Sequence, residues 1–335
     1  MSNKPILGIL LGDAAGVGPE IVAKVAAANF FDEYCRPVII GDKRVFDRGC
    51  KISGVEVKTQ VIEDVSEATW EDGIPLLDQK DLDPEEVPFG QLSIQSGRAC
   101  LNMLKLGIEL FQAGKIDGFS FAPLNKAGMI QAGCQFESEH HYMAHLLNHT
   151  APFGEINVVD NMWTTRTTSH IPIAKVSESL SIEKIMRAIT LANNTLKTTG
   201  LENPRIGVAA LNPHCGENGK CGREEIDIIG PAVEEAKKQG INASGPWSSD
   251  ILFHKAFVGG DFDGVVTMYH DQGQIALKLR GFERGITIAG GLPVPIATCG
   301  HGTAYDIAGK GIVKTTSFEN AVKMTAKMAA NVRSR

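Results

Sequence analysis

The sequence has few of the features that mark a disulfide-bonded, membrane-bound or nucleic-acid-binding protein. Its seven cysteines are odd in number and form no C-x-x-C pair, which argues against a disulfide framework or zinc finger and predicts free thiols. No apolar run approaches the length of a membrane span, and the run near the N-terminus is too short for a signal peptide. The net charge of −6 lacks the positive excess that nucleic acid or an anionic membrane surface requires. We therefore expect a cytoplasmic protein without nucleic-acid or membrane partners.

The composition instead provides material for a large α/β fold. Apolar residues make up 43% and charged residues 21% of the 335 residues, which is enough for two domains or one large α/β unit. The residue patterns predict strands at 5–11, 37–41, 54–62, 116–123, 205–211 and 262–268, and helices at 18–31, 96–114, 181–196 and 231–240. The alternation of the two predicts an α/β architecture with a largely parallel sheet.

Three histidines lie where predicted strands end. His170 follows a β-branched run, and His214 and His270 follow apolar runs. In open α/β sheets ligands gather beyond the carboxyl ends of strands, so the three side chains can meet there. Converging neutral imidazoles are a common protein site for zinc or a similar transition metal. The spacing alone leaves two readings open, three hydrogen-bonded loop residues or three ligands of one metal ion.

Three glycine-rich segments invite comparison with nucleotide-binding motifs. The glycines of residues 12–20 do not fit G-x-G-x-x-G, so that segment predicts only a tight turn whose backbone closely approaches another group. Residues 211–225 lack the G-K-[ST] ending of a Walker loop, although their backbone N–H groups can cradle an anion. Residues 301–311 are polar and glycine-rich, and their simplest interpretation is a loop that starts a helix capped by Asp306.

A further group of histidines lies within residues 137–149. His141, His145 and His149 are spaced at i, i+4 and i+8, which would place them on one helix face and suggests a helical metal motif. The segment has no H-E-x-x-H sequence, which argues against a metalloprotease. We expect His145 and His149 to be surface or packing residues, and His140 and His141 to face the functional site.

Six stretches follow in order along nearly the whole chain: LGDAAGVGPEI, APLNKAG, TTSHIPIAKV, LNPHCGENGKCGREE, MYHDQGQIALKLRGFERG and HGTAYDIAGKG. Together they resemble the motifs of the 4-hydroxythreonine-4-phosphate dehydrogenase (PdxA-like) family. The family has the fold of isocitrate and isopropylmalate dehydrogenases, so the resemblance implies two α/β/α domains with a cleft between them. It implies that residues 1–128 and 283–335 bind NAD, and that residues 129–282 form the substrate, metal and dimerisation domain.

The resemblance also implies roles for particular residues. A divalent metal, zinc first and magnesium, manganese or cobalt as alternatives, would be held by His170, His214 and His270. Asp250 and Asp271 would serve catalysis in a site shared by the two subunits of a homodimer. The implied substrate contacts are His140, His141, Lys278, Arg284 and Thr287. Residues 301–311 are very similar to the adenosine-binding loop of isopropylmalate dehydrogenase, and the implied NAD contacts are His301, Gly302, Thr303 and Asp306.

The chain departs from the pyridoxine-pathway members of the family at substrate positions. Those members carry G-H-T-E-F where this chain has SEHHY, and Asn and Arg where it has Thr287 and Ile296. Because an anion-binding Arg is lost, the chain more closely resembles the branch that oxidises D-threonate or D-erythronate 4-phosphate.

The function implied by this branch is NAD-dependent, metal-assisted oxidation and decarboxylation of such a four-carbon acid sugar phosphate to dihydroxyacetone phosphate and CO2. Two alternatives lie in the same family, the 4-hydroxythreonine-4-phosphate dehydrogenase of pyridoxal phosphate synthesis and a cis-dihydrodiol dehydrogenase of an aromatic acid. A zinc hydrolase, in which three histidines activate water, is the alternative from another class.

Overall fold

The computed structural model describes residues 4–333 and divides the chain into two compact units. The first unit comprises Met1–Thr150 and Ile286–Arg335, and the second comprises Ala151–Gly285. The predicted division placed residues 129–150 in the second domain, whereas the structure groups them with the first unit. The outermost residues of the predicted first domain, 1–3 and 334–335, lie outside the described part of the chain.

The strands and helices follow one another along most of the chain. Within the described residues the strands are β1 Ile6–Leu10, β2 Arg36–Gly41, β3 Thr59–Ile62, β4 Ile74–Asp78, β5 Gly118–Phe121, β6 Gly154–Val159, β7 Met162–Arg166, β8 Ile206–Ala209, β9 Ala243–Trp247, β10 Gly264–Thr267, β11 Ile286–Gly290 and β12 Ile296–Cys299. The α-helices are α1 Gly18–Ala27, α2 Phe31–Tyr34, α3 Lys43–Ser53, α4 Ile94–Gln112, α5 Lys126–Gln131, α6 Glu139–Leu146, α7 Val176–Ser179, α8 Ile182–Lys197, α9 Gly230–Lys238, α10 Ser249–His254, α11 His270–Gly281 and α12 Thr316–Arg333.

The first unit is built on a sheet with the strand order β3-β4-β2-β1-β5-β12-β11. Its strands run parallel except β11, which is antiparallel to β12. The central strands are buried along nearly their whole length, as expected of a parallel sheet whose two faces are covered by helices. Their apolar side chains, among them Leu7, Ile9, Ile39 and Phe119, form the core of this unit.

The second unit is built on a sheet with the strand order β6-β7-β10-β8-β9. Strands β7, β10, β8 and β9 are parallel to their neighbours, and β6 is antiparallel to β7. Helix α8 covers this sheet with Ile185 and Ile189, both fully buried. The helix begins where the sequence predicts it, because the Ser181 hydroxyl accepts a hydrogen bond from the Lys184 N–H at 3.2 Å. The predicted α/β class with a largely parallel sheet is confirmed.

One predicted strand is mostly wrong. Residues 54–62 have strand composition, yet only Thr59–Ile62 forms a strand. Helix α3 precedes it and ends at Gly54, whose left-handed conformation (φ 65°) closes the helix. Helix α3 was not predicted because most of its residues are polar and only Val45, Phe46 and Gly49 are buried. Within residues 4–333, no helix is long and apolar enough to span a membrane.

Candidate active site

Two of the three candidate histidines lie together at the carboxyl ends of neighbouring strands. Strands β7 and β10 are parallel, with Arg166 opposite Thr267. His170 follows β7 by four residues, and His270 follows β10 by three as the first residue of α11. Their ring centroids are 5.7 Å apart. Strand context therefore correctly predicts that these two side chains meet.

The neighbour of His270 fixes which of its ring nitrogens is available. The His270 Nδ1 lies 2.7 Å from the Asp271 carboxylate, which can only accept, so Nδ1–H donates this hydrogen bond. The Nε2 lone pair is thereby left to accept a proton or bind a cation. A carboxylate behind an imidazole is the usual partner of a metal-binding histidine. The pair of His170 and His270, with Asp271 behind it, is therefore chemically suited to a divalent transition metal.

His214 occupies an unusual backbone conformation. Five consecutive residues, His214–Asn218, have φ between 45° and 76°, the left-handed region that non-glycine residues seldom enter. Among the described residues no group of three His, Cys, Asp or Glu side chains is arranged to hold a metal ion. The structure therefore joins His170 with His270 but does not assemble the predicted three-histidine set.

A buried carboxylate supports the left-handed turn of residues 214–218. Glu225 is 4% exposed and accepts hydrogen bonds from the N–H groups of Leu211 (2.9 Å) and Asn212 (2.7 Å). A Cβ atom at Gly216 would lie 2.8 Å from the Glu225 carboxylate, so the turn requires glycine at this position. Glu225 thus fixes the entry to the turn that carries His214.

Asp250, the second predicted catalytic acid, lies in the first turn of α10 and is exposed. The Ser248 hydroxyl donates a hydrogen bond to its carboxylate at 2.7 Å. This bond, helped by backbone N–H groups and by the nearby His214, holds the pKa of Asp250 below its usual range. Asp250 is therefore an ionised carboxylate on the His214 side of the second unit.

Two predicted substrate residues lie in the second unit. Lys278 is exposed on α11, two helical turns beyond His270, so the Cα atoms of the two residues are about 12 Å apart along the helix axis. Arg284 donates hydrogen bonds to Asp160 at 3.0 and 3.2 Å. The guanidinium is thus committed to Asp160 in this structure, and Lys278 is the more accessible cation.

The other three predicted substrate residues lie in the first unit. His140 on α6 is 7% exposed and lies 3.6 Å from Glu139. His141 is exposed, and its Nδ1 lies 2.8 Å from the Ser138 hydroxyl that caps the helix. Thr287 is 8% exposed within β11. Their contact with substrate stays a prediction.

The suspected helical metal motif of residues 141–149 is wrong. Helix α6 ends at Leu146, so His149 lies beyond it and cannot share a helix face with His141. His145 packs against the Phe136 ring at a centroid distance of 4.8 Å, in agreement with the predicted packing role.

The loop of residues 301–311, called here the C-terminal loop, exposes two of its four predicted cofactor residues. Gly302 and Asp306 are exposed, and no atom lies within 4 Å of the position that a Cβ would take at Gly302. His301 donates a hydrogen bond from Nδ1 to the Gly302 carbonyl at 2.9 Å. Thr303 is half-buried. Helix α12 begins only at Thr316, so the interpretation of Asp306 as a helix cap is wrong. The loop thus offers an exposed carboxylate and an open stretch of backbone, groups that can hydrogen-bond the polar adenosine half of a dinucleotide.

Comparison with known proteins decides the family. The family model described as "Pyridoxal phosphate biosynthetic protein PdxA" matches residues 33–325. The chain belongs to the PdxA family. It is therefore a member of a dehydrogenase family, which disfavours the zinc-hydrolase alternative.

Relatives in the PdxA family match almost the whole chain. "Putative 4-hydroxythreonine-4-phosphate dehydrogenase 2" of Pseudomonas aeruginosa is 45% identical over 328 residues, covering 97% of each chain. "D-threonate 4-phosphate dehydrogenase" of Cupriavidus necator is 37% identical over 326 residues, again covering 97% of each. The crystal structure of a 4-hydroxythreonine-4-phosphate dehydrogenase from Burkholderia phymatum is 40% identical, with a TM-score of 0.84, and covers 97% of this chain and 98% of that one.

A buried polar network beside His170 in this PdxA-family chain was not predicted. Arg166, with a side chain 8% exposed, pairs with Glu155 at 2.5 Å and donates to Asn157 at 2.8 Å and Ser169 at 3.0 Å. Gln274, one helical turn after His270, donates its amide to the same Asn157 oxygen. The only sequence signal for this network is an Arg inside the β-branched run 164–168.

Proposed function

We propose that this PdxA-family protein is an NAD-dependent, metal-assisted dehydrogenase that oxidises and decarboxylates D-threonate or D-erythronate 4-phosphate. The C3 hydroxyl would be oxidised to a ketone, with its proton released and NAD as the acceptor of the hydride. The resulting 3-keto acid would lose its carboxylate as CO2 and take up a proton at C2. The remaining three carbons form dihydroxyacetone phosphate. The observation that carries this proposal is the His170–His270 pair, with Asp271 behind it, at the carboxyl ends of two parallel strands.

The proposed metal ligands are His170, His270 and, on the resemblance alone, His214. A bound divalent ion, zinc by preference, would lower the pKa of the hydroxyl that is oxidised and stabilise negative charge on its oxygen. Asp271 keeps the His270 proton on Nδ1, so that Nε2 would be the lone-pair donor to a bound ion. Asp250, ionised beside His214, adds negative charge that favours a cation on that side.

The proposed substrate contacts follow from charge. A phosphate with about two negative charges needs cationic or N–H donors, and Lys278 is an exposed ammonium group on the helix that begins at His270. Ile296, in the position where the pyridoxine-pathway branch has Arg, is fully buried in β12 and provides no donor. Phosphate recognition is therefore assigned to Lys278 with His140 or His141, and we expect no requirement for a substrate amine.

The proposed cofactor contacts are His301, Gly302, Thr303 and Asp306 of the C-terminal loop. NAD supplies the hydride acceptor when it is bound. The exposed Asp306 carboxylate can accept hydrogen bonds from the ribose hydroxyls of the dinucleotide.

We also propose that the active form is a homodimer. Helix α11 and the turn after it expose an apolar stripe of Ile275 (60%), Leu279 (83%) and Phe282 (60%), at i, i+4 and i+7. Such a stripe is typical of a face that is covered by another chain. Because His270 and Lys278 lie on the same helix, a second subunit at this stripe would border the proposed site.

The test is NADH formation on a panel of acids, with and without a metal chelator. We expect D-threonate or D-erythronate 4-phosphate to give a much higher kcat/KM than 4-hydroxythreonine 4-phosphate, and the chelator to abolish turnover. Preference for the aminated substrate would support the pyridoxal phosphate pathway, a function that the P. aeruginosa relative's name favours. Preference for an unphosphorylated aromatic dihydrodiol acid would contradict both.

A further inference from the structure

The glycine-rich segment near the N-terminus lies against the C-terminal loop. We call residues 12–18 the glycine turn. The Val17 N–H donates to the Thr303 carbonyl at 3.1 Å. A Cβ atom at Gly16 would lie 2.8 Å from both the Cβ and the carbonyl oxygen of Thr303. Gly16 is therefore required because protein backbone, and not a phosphate, fills the space above it.

A buried carboxylate fixes the far end of the C-terminal loop. Glu20, on the first turn of α1, is 1% exposed and accepts the N–H groups of Gly309 at 2.7 Å and Gly311 at 2.8 Å, one on each oxygen. Lys24, one turn later, donates to the carbonyls of Gly311 at 2.7 Å and Val313 at 3.0 Å. Hydrogen bonds to ionised groups are about twice as strong as neutral ones. Glu20 thus binds the backbone N–H groups at the end of the loop, and Lys24 binds the backbone carbonyl groups there.

A second buried carboxylate fixes the middle of the loop. Asp13 is 1% exposed, and the Tyr305 hydroxyl donates to it at 2.6 Å. Ser96 and the Ala15 N–H donate to its other oxygen. The amide of Asn125 donates to the Tyr305 oxygen at 2.8 Å. Burial, and then the bond to Asp13, raises the pKa of Tyr305 well above its usual range, so the phenol keeps the proton that it donates.

We propose that Asp13 and Glu20 are positioning residues that hold the C-terminal loop in its NAD-binding shape before the dinucleotide arrives. The inference rests on the proposed function, because it takes NAD as the ligand of this loop. Glycines at 302, 309 and 311 give the loop a large conformational freedom, and ordering it on binding would weaken affinity. The two carboxylates restrict the loop before NAD binds. They come from a segment that lies nearly 300 residues earlier in the sequence.

The experiment compares two variants with a control that also loses a buried hydrogen bond. Glu20→Gln replaces one acceptor by an NH2 group that faces a backbone N–H, and Tyr305→Phe leaves Asp13 without its phenol donor. Thr325→Val is the control, because it removes a buried hydrogen bond to Ser120 (2.9 Å) in the same unit without touching the loop. The full chain is titrated with NAD and with NADP by calorimetry, and amide hydrogen exchange is followed across residues 301–313.

We expect Glu20→Gln and Tyr305→Phe to raise the Kd of the preferred dinucleotide about tenfold, the effect of losing one charge-assisted hydrogen bond. The loop amides should exchange faster in both variants. Zinc binding, and the KM for the acid phosphate at saturating dinucleotide, should match those of Thr325→Val. A merely structural role would instead affect all of these quantities together.

The outcomes separate the inference from the proposed function. If the unmodified chain binds neither dinucleotide, the proposed cofactor is wrong. If it binds one, and both variants bind it as tightly as Thr325→Val with unchanged loop exchange, the positioning role is overturned while the proposed function stands. Should Glu20→Gln fail to fold, Lys24→Met, which alters a half-buried side chain, is held to the same criteria.

Discussion

The left-handed turn of residues 214–218 makes a sharp prediction about stability. Glu217 is exposed and has φ 45° and ψ 53°, a conformation that costs a residue with a Cβ atom about 1–2 kcal/mol. Glycine adopts this conformation without that cost but loses about 0.5–1 kcal/mol through its greater freedom in the unfolded chain. Glu217→Gly should therefore raise the free energy of unfolding by about 0.5–1 kcal/mol.

Two controls isolate the backbone from the side chain. Glu217→Ala removes the ion pair with Lys220, which is 4.0 Å long and exposed, and should change the unfolding free energy by less than about 0.5 kcal/mol. Lys220→Gly places glycine three residues later, where φ is −72°, and should be destabilising by about 0.5–1 kcal/mol.

The assay is urea unfolding of all three variants beside the parent protein, followed by circular dichroism and by tryptophan fluorescence. Changes of opposite sign in the free energy of unfolding of the two glycine variants would support the left-handed turn. If Glu217→Gly destabilises the protein as much as Lys220→Gly does, residue 217 does not adopt the left-handed conformation in solution and the reasoning is refuted.

Three further predictions concern the cofactor, the dimer and the buried network. Asp306→Ala should raise the KM for NAD about tenfold and far more than that for the acid, whereas equal changes would contradict the assignment. Leu279→Glu should convert the dimer to a monomer, as measured by sedimentation velocity. The control Ile130→Glu, at an exposed apolar residue of the first unit, should leave the dimer intact. If Leu279→Glu remains a dimer, the apolar stripe is not the interface. Arg166→Met should lower the unfolding free energy by about 2 kcal/mol, since it removes the guanidinium from the half-buried Glu155 carboxylate, and a loss below about 0.5 kcal/mol would show that the pair contributes nothing.

Much of the fold was predictable because its elements have strong local patterns. Helix α8 repeats apolar residues at helical spacing behind a serine cap, and strand β10 is a short apolar run, so both were predicted close to their observed bounds. Helix α3 escaped prediction because few of its side chains reach the core, and β4 because Pro75 lies inside its apolar run and lowers the strand signal.

The site was predictable only where strand order carries the information. Parallel strands end on the same side of a sheet, and this is why His170 and His270 could be expected to meet. The contacts of Glu20 with Gly309, 289 residues apart, have no local signature, since nothing in a hydrophobic pattern records which distant loop a carboxylate will meet. The inward-facing Arg166 was missed for the same reason. The roles of His214, Asp250 and the substrate residues stay predictions.

The discontinuity of the first unit sets the order in which the chain can fold during synthesis. Strand β12 lies between β5 and β11 in the finished sheet, but it is translated after the whole of the second unit. Until then β5 has an open edge, which a ribosome adding about 5–20 residues per second leaves exposed for roughly ten seconds or more. The second unit, continuous in sequence, has all its residues available first. A nascent chain stalled before β12 would therefore carry one folded unit and one aggregation-prone sheet edge, a state in which chaperones are expected to bind the first half of the protein.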